Sequence, residues 1–169
     1  HKLLAPMADG QPVVRHAVDA ALAAGFGPVI VVWGAVHLDS VLADLDVTLV
    51  HHADWPDGQA TTLAIGIDTA HRLGAHTVII GLGDQPGVTP QAWRAVAEAP
   101  AAPPIAAASH DGVLRTPVRL PKEIWASLPT VGDEGARVLM TSRPDLVQAV
   151  AVTGRPDDID TTEDLDSWN

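Results

Sequence analysis

Short apolar segments alternate with segments of helical periodicity along this chain, and this alternation restricts the fold more than any other sequence feature. Five segments, most of them rich in Val and Ile, are nearly continuous in apolarity, which is typical of strands buried on both faces of a sheet. The predicted strands span residues 28–33, 47–50, 77–82, 104–108 and 147–152. Such strands indicate a parallel or mixed sheet.

The segments between these strands place apolar residues at helical spacing, so we expect them to cover the faces of the sheet. The predicted helices span residues 13–24, 38–43, 62–73, 91–97 and 134–141. Thr89 before Pro90 is typical of a helix start, and Gly25 follows a helical pattern as a C-cap glycine does. Thr161 and Asp164 have the spacing of a capping box, which predicts a short C-terminal helix. The order of elements therefore predicts an α/β fold.

Composition limits the function classes. A chain of 169 residues fits one hydrophobic core. Its 21 Asp and Glu against 10 Lys and Arg give a net charge of −11, which argues against nucleic-acid coating or membrane-surface binding. The absence of cysteine excludes a disulfide scaffold, a thiolate zinc site and a cysteine nucleophile. Because no apolar run could span a bilayer and no signal peptide pattern is visible, we expect a cytoplasmic protein.

Asp84 is the strongest candidate for chemistry, because it follows the apolar strand 77–82 in the run Gly81-Leu-Gly-Asp84-Gln-Pro86. In open α/β sheets, ligands bind outside the carboxyl ends of the strands. A carboxylate at this position suits Mg²⁺, which usually takes one or two carboxylates and completes its shell with water and substrate phosphate. Asp84 could equally cap the following turn.

The acidic C-terminal segment contains a second candidate. On an extended chain, Asp158 and Asp160 would point to one side and Ile159 to the other. A carboxylate from this segment meeting Asp84 would complete a divalent cation site. On spacing alone, helix capping is the more common role for such acids.

Two further features could bind an anion. Gly58 precedes a predicted helix entered through Thr61 and Thr62, where backbone N–H groups and the helix dipole attract negative charge. A plain threonine N-cap is the alternative there. Arg115 and Arg137 lie beside turn residues and could anchor a phosphate or carboxylate through their planar guanidinium groups. Each could instead pair with one of the many carboxylates.

Five motifs occur in order along the chain. They are Lys2-Leu-Leu-Ala-Pro-Met7, Gly58-Gln-Ala-Thr-Thr-Leu63, Gly83-Asp-Gln-Pro-Gly-Val-Thr-Pro90, Gly132-Asp-Glu-Gly-Ala-Arg137, and Asp158-Ile-Asp-Thr161 with Asp164-Leu165. Together they resemble the MobA-like nucleotidyltransferases, most closely the molybdenum cofactor cytidylyltransferase branch. The resemblance implies a Rossmann-like, three-layer nucleotidyltransferase fold with a mostly parallel sheet and helices on both faces.

The resemblance also implies an activity. Proteins of this type join a nucleoside triphosphate, here CTP, to a phosphorylated acceptor of the molybdopterin type and release pyrophosphate, with Mg²⁺ as the cofactor. A molybdenum-dependent oxidoreductase would be a possible partner. Carried over by position, Lys2 would contact the triphosphate, while Asp84 and Asp160 would hold Mg²⁺.

The remaining candidates are less firmly assigned by the resemblance. Gly58, Thr61 and Thr62 would lie near the bound base or acceptor, and Arg115 and Arg137 would lie on the acceptor side. The family often has R-G-H-P where this chain has Leu-Arg-Thr-Pro at 114–117, which leaves the acceptor open. GTP as donor, a sugar or polyol phosphate as acceptor, or a non-catalytic cofactor chaperone for a molybdenum hydroxylase are the alternatives.

One family element is expected to be missing. The glycine-rich L-A-A-G-x-S-x-R-M-G loop should stand immediately before Lys2, and the sequence begins at His1. We therefore expect residues 1–169 to form a single MobA-like domain without its first strand and phosphate loop.

Overall fold

The computed structural model describes residues 1–168. Within this range the strands are β1 (Val29–Trp33), β2 (Val47–His51), β3 (Thr77–Ile80), β4 (Ile105–His110), β5 (Val113–Pro121) and β6 (Val147–Ala151). The α-helices are α1 (Val13–Ala24), α2 (Asp39–Leu42), α3 (Gln59–Arg72), α4 (Pro90–Glu98), α5 (Lys122–Trp125), α6 (Arg137–Ser142) and α7 (Thr162–Asp166). Short 3-10 helices form at Lys2–Leu4, Trp55–Asp57 and Pro144–Leu146.

The strands are arranged in two sheets. One is a parallel pair of β1 and β2, and the other has four strands in the order β3-β5-β4-β6. In the larger sheet β4 and β6 run parallel, whereas β5 runs antiparallel to both of its neighbours. The predicted α/β class is confirmed, with a sheet that combines parallel and antiparallel pairs.

Helices cover both faces of the larger sheet. Successive side chains of a strand point to opposite faces, so alternate residues of β4 pack against different helices. On one face Ile105 and Ala107 of β4 pack in a core with Ile124 and Leu139, which belong to α5 and α6. On the other face, Ala106 and Ala108 pack against Val96 of α4. The alanines leave room for the helix to approach the sheet closely. The smaller sheet packs in a third core with α1 and α2.

Strand β5 has no counterpart among the strands predicted from the sequence. It pairs with β4 through a tight turn at Asp111 and Gly112, where both residues have positive φ angles of 51° and 84°. That geometry is typical of the two-residue turns that connect hairpin strands. Within β5, Arg119 is buried, and its guanidinium donates hydrogen bonds to the carbonyls of Ala97, Ala99 and Pro100 at the end of α4.

Several predicted helix boundaries are confirmed by the hydrogen bonds at the helix ends. Helix α1 has the predicted bounds and ends at Gly25, which has a left-handed backbone conformation. Thr89 caps α4, where the Ala92 amide donates to the Thr89 hydroxyl at 3.2 Å. Thr161 and Asp164 form the expected capping box at the start of α7. No helix within residues 1–168 is long and apolar enough to cross a membrane.

Candidate functional site

Lys2 joins the two carboxylates that the sequence predicted to meet. Its Nζ donates to Asp84 Oδ2 at 2.7 Å and to Asp160 Oδ1 at 2.6 Å. Asp84 lies in the loop that follows β3, Asp160 lies just before α7, and Lys2 begins the first 3-10 helix. Lys2, Asp84 and Asp160 therefore form a charged cluster built from three distant parts of the chain.

The lysine offsets part of the negative charge of the cluster. Burial lowers the pKa of Lys2, but the hydrogen bonds and charges of Asp160 and Asp84 outweigh that effect and raise the pKa above its ordinary value. The ammonium group therefore stays charged at neutral pH. Two carboxylates held this close together would repel one another without a cation between them.

The geometry of the cluster fits a divalent cation. Both carboxylates reach one atom at 2.6 and 2.7 Å, so both can bind one positive centre. Carboxylate oxygens are ligands that suit Mg²⁺ and Mn²⁺. In the part of the chain that the structure describes, no three His, Cys, Asp or Glu side chains converge as a metal site. The protein would supply two ligands, and the metal role of Asp84 and Asp160 stays a prediction.

The C-terminal segment is held against the loop after β3. Ile159 is buried, and its amide donates to the carbonyl of Asp84 at 2.9 Å. Asp158 accepts a hydrogen bond from the amide of Gln85 at 2.6 Å. The predicted alternation, with Ile159 inside and the aspartates outside, is confirmed, but only Asp160 of the two aspartates contacts Lys2.

A second group of predicted residues lies at the entry to α3, in residues 55–61. We call this segment the glycine turn. Gly58 has a φ of 107° and packs on Gly132, whose carbonyl accepts a hydrogen bond from the Ala60 amide at 2.9 Å. The Thr61 hydroxyl donates to the carbonyl of Gly58 at 2.7 Å. The two motifs that begin at Gly58 and Gly132 therefore meet through their backbones.

The alternative that a threonine caps α3 is wrong. The N-cap position is Gly58, and the helix begins at Gln59, three residues before the predicted start. Thr61 and Thr62 consequently lie inside the first turn of the helix. The hydroxyl of Thr61 turns back to Gly58 and also contacts the ring Nε2 of His52 at 2.9 Å.

The two candidate arginines occupy different surroundings. Arg115 is exposed on β5 and lines a polar cavity of about 440 Å³ together with Asp160 and Arg155. Arg137 is exposed at the start of α6, next to the part of the 132–137 motif that packs on the glycine turn. Within residues 1–168, no hydrogen bond or ion pair joins either arginine to the charged cluster.

Sequence reasoning gave no role to two residues that organise these regions. His52 is buried and contacts Thr61. Gln85 is buried beside Asp84 and contacts two other segments, strand β5 and the C-terminal segment. The position of an amide side chain directly after an aspartate at a strand end could have indicated the structural role of Gln85. Nothing in the spacing of His52 indicated its partner.

The family model of the MobA-like NTP transferase domain matches residues 1–150. The chain belongs to the MobA-like NTP transferase family. This match covers Lys2 and Asp84 of the charged cluster, the glycine turn and the 132–137 motif that packs on it, while Asp160 lies beyond it. Membership supports a nucleotidyltransferase, and it leaves the particular donor and acceptor open.

Solved structures agree with this assignment. Rv0371c from Mycobacterium tuberculosis H37Rv is 26% identical with a TM-score of 0.86, over 99% of this chain and 87% of that protein. A structure of Rv0371c in complex with manganese has 26% identity and a TM-score of 0.85, over 99% of this chain and 90% of that one. No curated protein matches the chain.

A third structure supports the fold alone, because its identity is low. Mth528, a nucleotidyl transferase from Methanothermobacter thermautotroptrophicus, is 24% identical with a TM-score of 0.82. The similarity covers 97% of this chain and 81% of that protein. The expected nucleotidyltransferase fold is therefore confirmed for this MobA-like chain.

Proposed function

We propose that this MobA-like protein joins a nucleoside triphosphate, CTP in the first instance, to a phosphorylated acceptor of the molybdopterin type in a Mg²⁺-dependent reaction that releases pyrophosphate. The observation that carries the proposal is the charged cluster, where Lys2, Asp84 and Asp160 meet in a MobA-like domain. The choice of CTP and molybdopterin rests on the five sequence motifs.

The chemistry needs no nucleophile from the protein. The acceptor phosphate forms a bond to the α-phosphorus of the nucleotide, and the bond from that phosphorus to the pyrophosphate oxygen breaks. Because both reactants are anions, the protein has to hold them in line and offset their charge. A divalent cation held by Asp84 and Asp160 would neutralise phosphate charge at this point.

Lys2 has a second task in this proposal. Its ammonium group carries three donors on a flexible stem, so it can exchange a carboxylate partner for a phosphate oxygen. The exposed half of the cluster faces a polar cavity lined by Arg115 and Asp160. An acceptor phosphate entering that cavity would meet the guanidinium of Arg115. This supports the acceptor-side role predicted for that residue.

The manganese bound to Rv0371c supports a divalent cation in the related fold. The fold is also shared with the CMP-2-keto-3-deoxy-manno-octonic acid synthetase in its complex with CTP, at 14% identity and a TM-score of 0.71. That protein shows that a fold of this shape can bind CTP.

The direct test measures pyrophosphate release from CTP in the presence of Mg²⁺ and molybdopterin. We expect release by the native protein and a loss of about 100-fold or more in Asp84→Ala, since one electrostatic contact in a transition state is worth about that much. Asp68→Ala is the matched control, because Asp68 pairs only with Arg72 on the surface of α3 among the described ion pairs. Equal release by Asp84→Ala and the native protein would refute the proposal.

A different acceptor or donor is the second candidate, favoured by the Leu-Arg-Thr-Pro sequence at 114–117 where the family often has R-G-H-P. A panel of CTP and GTP against molybdopterin, sugar phosphates and polyol phosphates separates these cases. Tight pterin binding with no nucleotide affinity in calorimetry would instead favour a cofactor chaperone.

A further inference from the structure

Gln85 is a buried amide with all of its hydrogen-bonding groups in use. The residue is 3% exposed and follows Asp84 directly. The amide nitrogen donates to Asp158 Oδ1 at 2.6 Å and to the carbonyl of Pro156 at 3.3 Å. The amide oxygen accepts a hydrogen bond from the hydroxyl of Thr116.

These partners define one orientation of the amide. If the group were flipped, its oxygen would face two acceptors and its nitrogen would face the hydroxyl. An unpaired polar group in a buried position is costly, so the observed arrangement is strongly preferred over the flipped one. Gln85 therefore connects the loop after β3, strand β5 and the C-terminal segment in a fixed geometry.

The C-terminal segment depends on such external support. Residues 152–160 contain no helix or strand that would hold them in place. The Asp160 side chain is 67% exposed, so packing does not fix it. The anchors of this stretch near Asp160 are the two hydrogen bonds from Gln85, the bond from the Ile159 amide to the carbonyl of Asp84, and the bond from the Asp160 amide to Asp164 Oδ2 at 3.0 Å.

The bonds from Gln85 and from the Ile159 amide act on the residues just before Asp160. Asp158 is tied through its side chain, and Ile159 is tied through its backbone and buried beneath the segment. With both fixed, the next side chain is directed to the side where Lys2 and Asp84 lie. The result is the 2.6 Å contact between Asp160 and Lys2.

We propose that Gln85 is the positioning residue that brings Asp160 to Asp84, and that Asp158 is the hydrogen-bond acceptor for Gln85 instead of a third metal ligand. This inference rests on the proposed function, because a shared cation gives the meeting of the two carboxylates its purpose. Gln85 touches neither the substrate nor the cation and acts through the segment that carries Asp160.

The first experiment titrates the intact protein with Mn²⁺ alone, followed by electron paramagnetic resonance. Loss of a residue that orients a ligand typically weakens metal affinity about 10-fold or more, which is the result expected for Gln85→Leu. Gln148→Leu is the matched control, because the Gln148 amide also donates two hydrogen bonds, in its case to the carbonyls of Pro100 and Pro103. That variant is expected to bind Mn²⁺ like the native protein. Native affinity in Gln85→Leu would overturn the proposal.

Two substitutions at Asp158 separate its two possible roles. Asp158→Asn removes the charge but keeps an oxygen that accepts from Gln85, so the affinity for Mn²⁺ is expected to stay within about twofold of native. Asp158→Ala removes the acceptor and is expected to approach the Gln85→Leu value. If Asp158→Asn lost as much affinity as Asp158→Ala, the charge would be what matters, and the proposed role of Asp158 would be wrong.

The second experiment uses no metal and reads the position of the segment itself. Hydrogen exchange of the Ile159 amide is expected to be about 10-fold faster in Gln85→Leu and unchanged in Gln148→Leu, because opening of the segment exposes that amide. Unchanged exchange in Gln85→Leu would overturn the positioning role. Faster exchange in a protein that binds no Mn²⁺ would leave the positioning role intact and refute the metal in the proposed function.

Discussion

The charged cluster and the contact between the glycine turn and Gly132 both join residues that are far apart in the sequence, but different groups make the contacts. In the charged cluster, Lys2 meets two carboxylates through side chains. In the glycine turn, the backbone of Gly58 packs directly on the backbone of Gly132. One region is held by opposite charges and the other by the close approach of two backbone segments.

This difference determines how each region can respond to a ligand. A lysine side chain can leave a carboxylate by rotating a few bonds, so the charged cluster can rearrange when a phosphate arrives. A backbone contact at Gly58 cannot change without moving α3 or residues 132–135. We infer that the charged cluster is the adaptable part of the site and the glycine turn is its rigid part.

The largest expected effect tests the adaptable part. Lys2→Met should lower nucleotidyl transfer about 100-fold, because a cationic contact to the triphosphate is removed. The same change should tighten Mn²⁺ binding in the absence of nucleotide, because the ammonium no longer competes for Asp84 and Asp160. Calorimetry with Mn²⁺ and a pyrophosphate assay measure the two effects.

Lys122→Met is the control for this change, since Lys122 is the only other lysine of the chain and lies at the start of α5. It should leave both properties unchanged. Weaker Mn²⁺ binding by Lys2→Met would show that the lysine supports the two carboxylates more than it competes for them.

The next effect concerns the rigid part. A Cβ on Gly58 would lie 2.6 Å from the Gly132 carbonyl oxygen, and the φ of 107° disfavours any other residue. Gly58→Ala should therefore lower the free energy of unfolding by about 3 kcal/mol, measured by urea denaturation. Gly66→Ala, in the same helix, is the control. Its Cβ would meet only Val32 at 3.4 Å, so little stability should be lost.

A smaller effect is expected at Gly87, in the loop that carries Asp84. Its backbone packs against the segment that carries Asp160. A Cβ on Gly87 would overlap the carbonyl of Arg155, whereas a Cβ on Gly83 would meet Val14 at 3.4 Å, an ordinary contact. Gly87→Ala should cost about 2 kcal/mol and weaken Mn²⁺ binding, while Gly83→Ala should do neither. Equal thermal unfolding of the two variants would contradict this account of the segment.

The smallest effect is the response of α7 to acid. Hydrogen bonds from the Thr161 and Asp160 backbone and from Thr161's side chain lower the pKa of Asp164 below the ordinary aspartate value. A carboxyl group with a lowered pKa stabilises the folded state above its unfolded pKa, and this stabilisation is lost as the pH falls through the folded value. The protection of the α7 amides, which compares their exchange rate with that of an unfolded chain at the same pH, should therefore fall on acidification. Asp164→Asn should remove that pH dependence.

The sequence predicted the elements whose signals are local. Residues 13–24 have a clear helical period and a following glycine, and α1 has those bounds. Thr89 and Thr161 were identified as helix starts from their own neighbours, and both make the capping bonds. These features depend on residues within one turn, so no knowledge of the fold was needed.

Strand β5 was not predicted, because its residues were interpreted as a motif that carries arginine. Arg115, Pro117 and Arg119 are uncommon in a buried strand, and the stretch was interpreted as an arginine-bearing motif. The Asp111-Gly112 pair was the available signal for a hairpin. The burial of Arg119 depends on the carbonyls at the end of α4, which no local pattern reveals.

The meeting of Asp84 and Asp160 was expected, but the lysine between them was not. The position of Lys2 in its motif indicated a phosphate as its partner. No local pattern indicated the two carboxylates that it contacts, since they lie in distant parts of the sequence. Gln85 and His52 are similar cases. Their partners lie 73 and 9 positions away, so their roles follow from the tertiary fold.

The contact between Lys2 and Asp160 joins residues 158 positions apart. Protein synthesis proceeds from the first of these residues towards the second, so a growing chain carries Lys2 and later Asp84 long before it receives Asp160. During that time the lysine can pair with one carboxylate only. The three-membered cluster is completed only after Asp160 has been synthesised, and a chain terminated before that residue could not form it however well its sheets had folded.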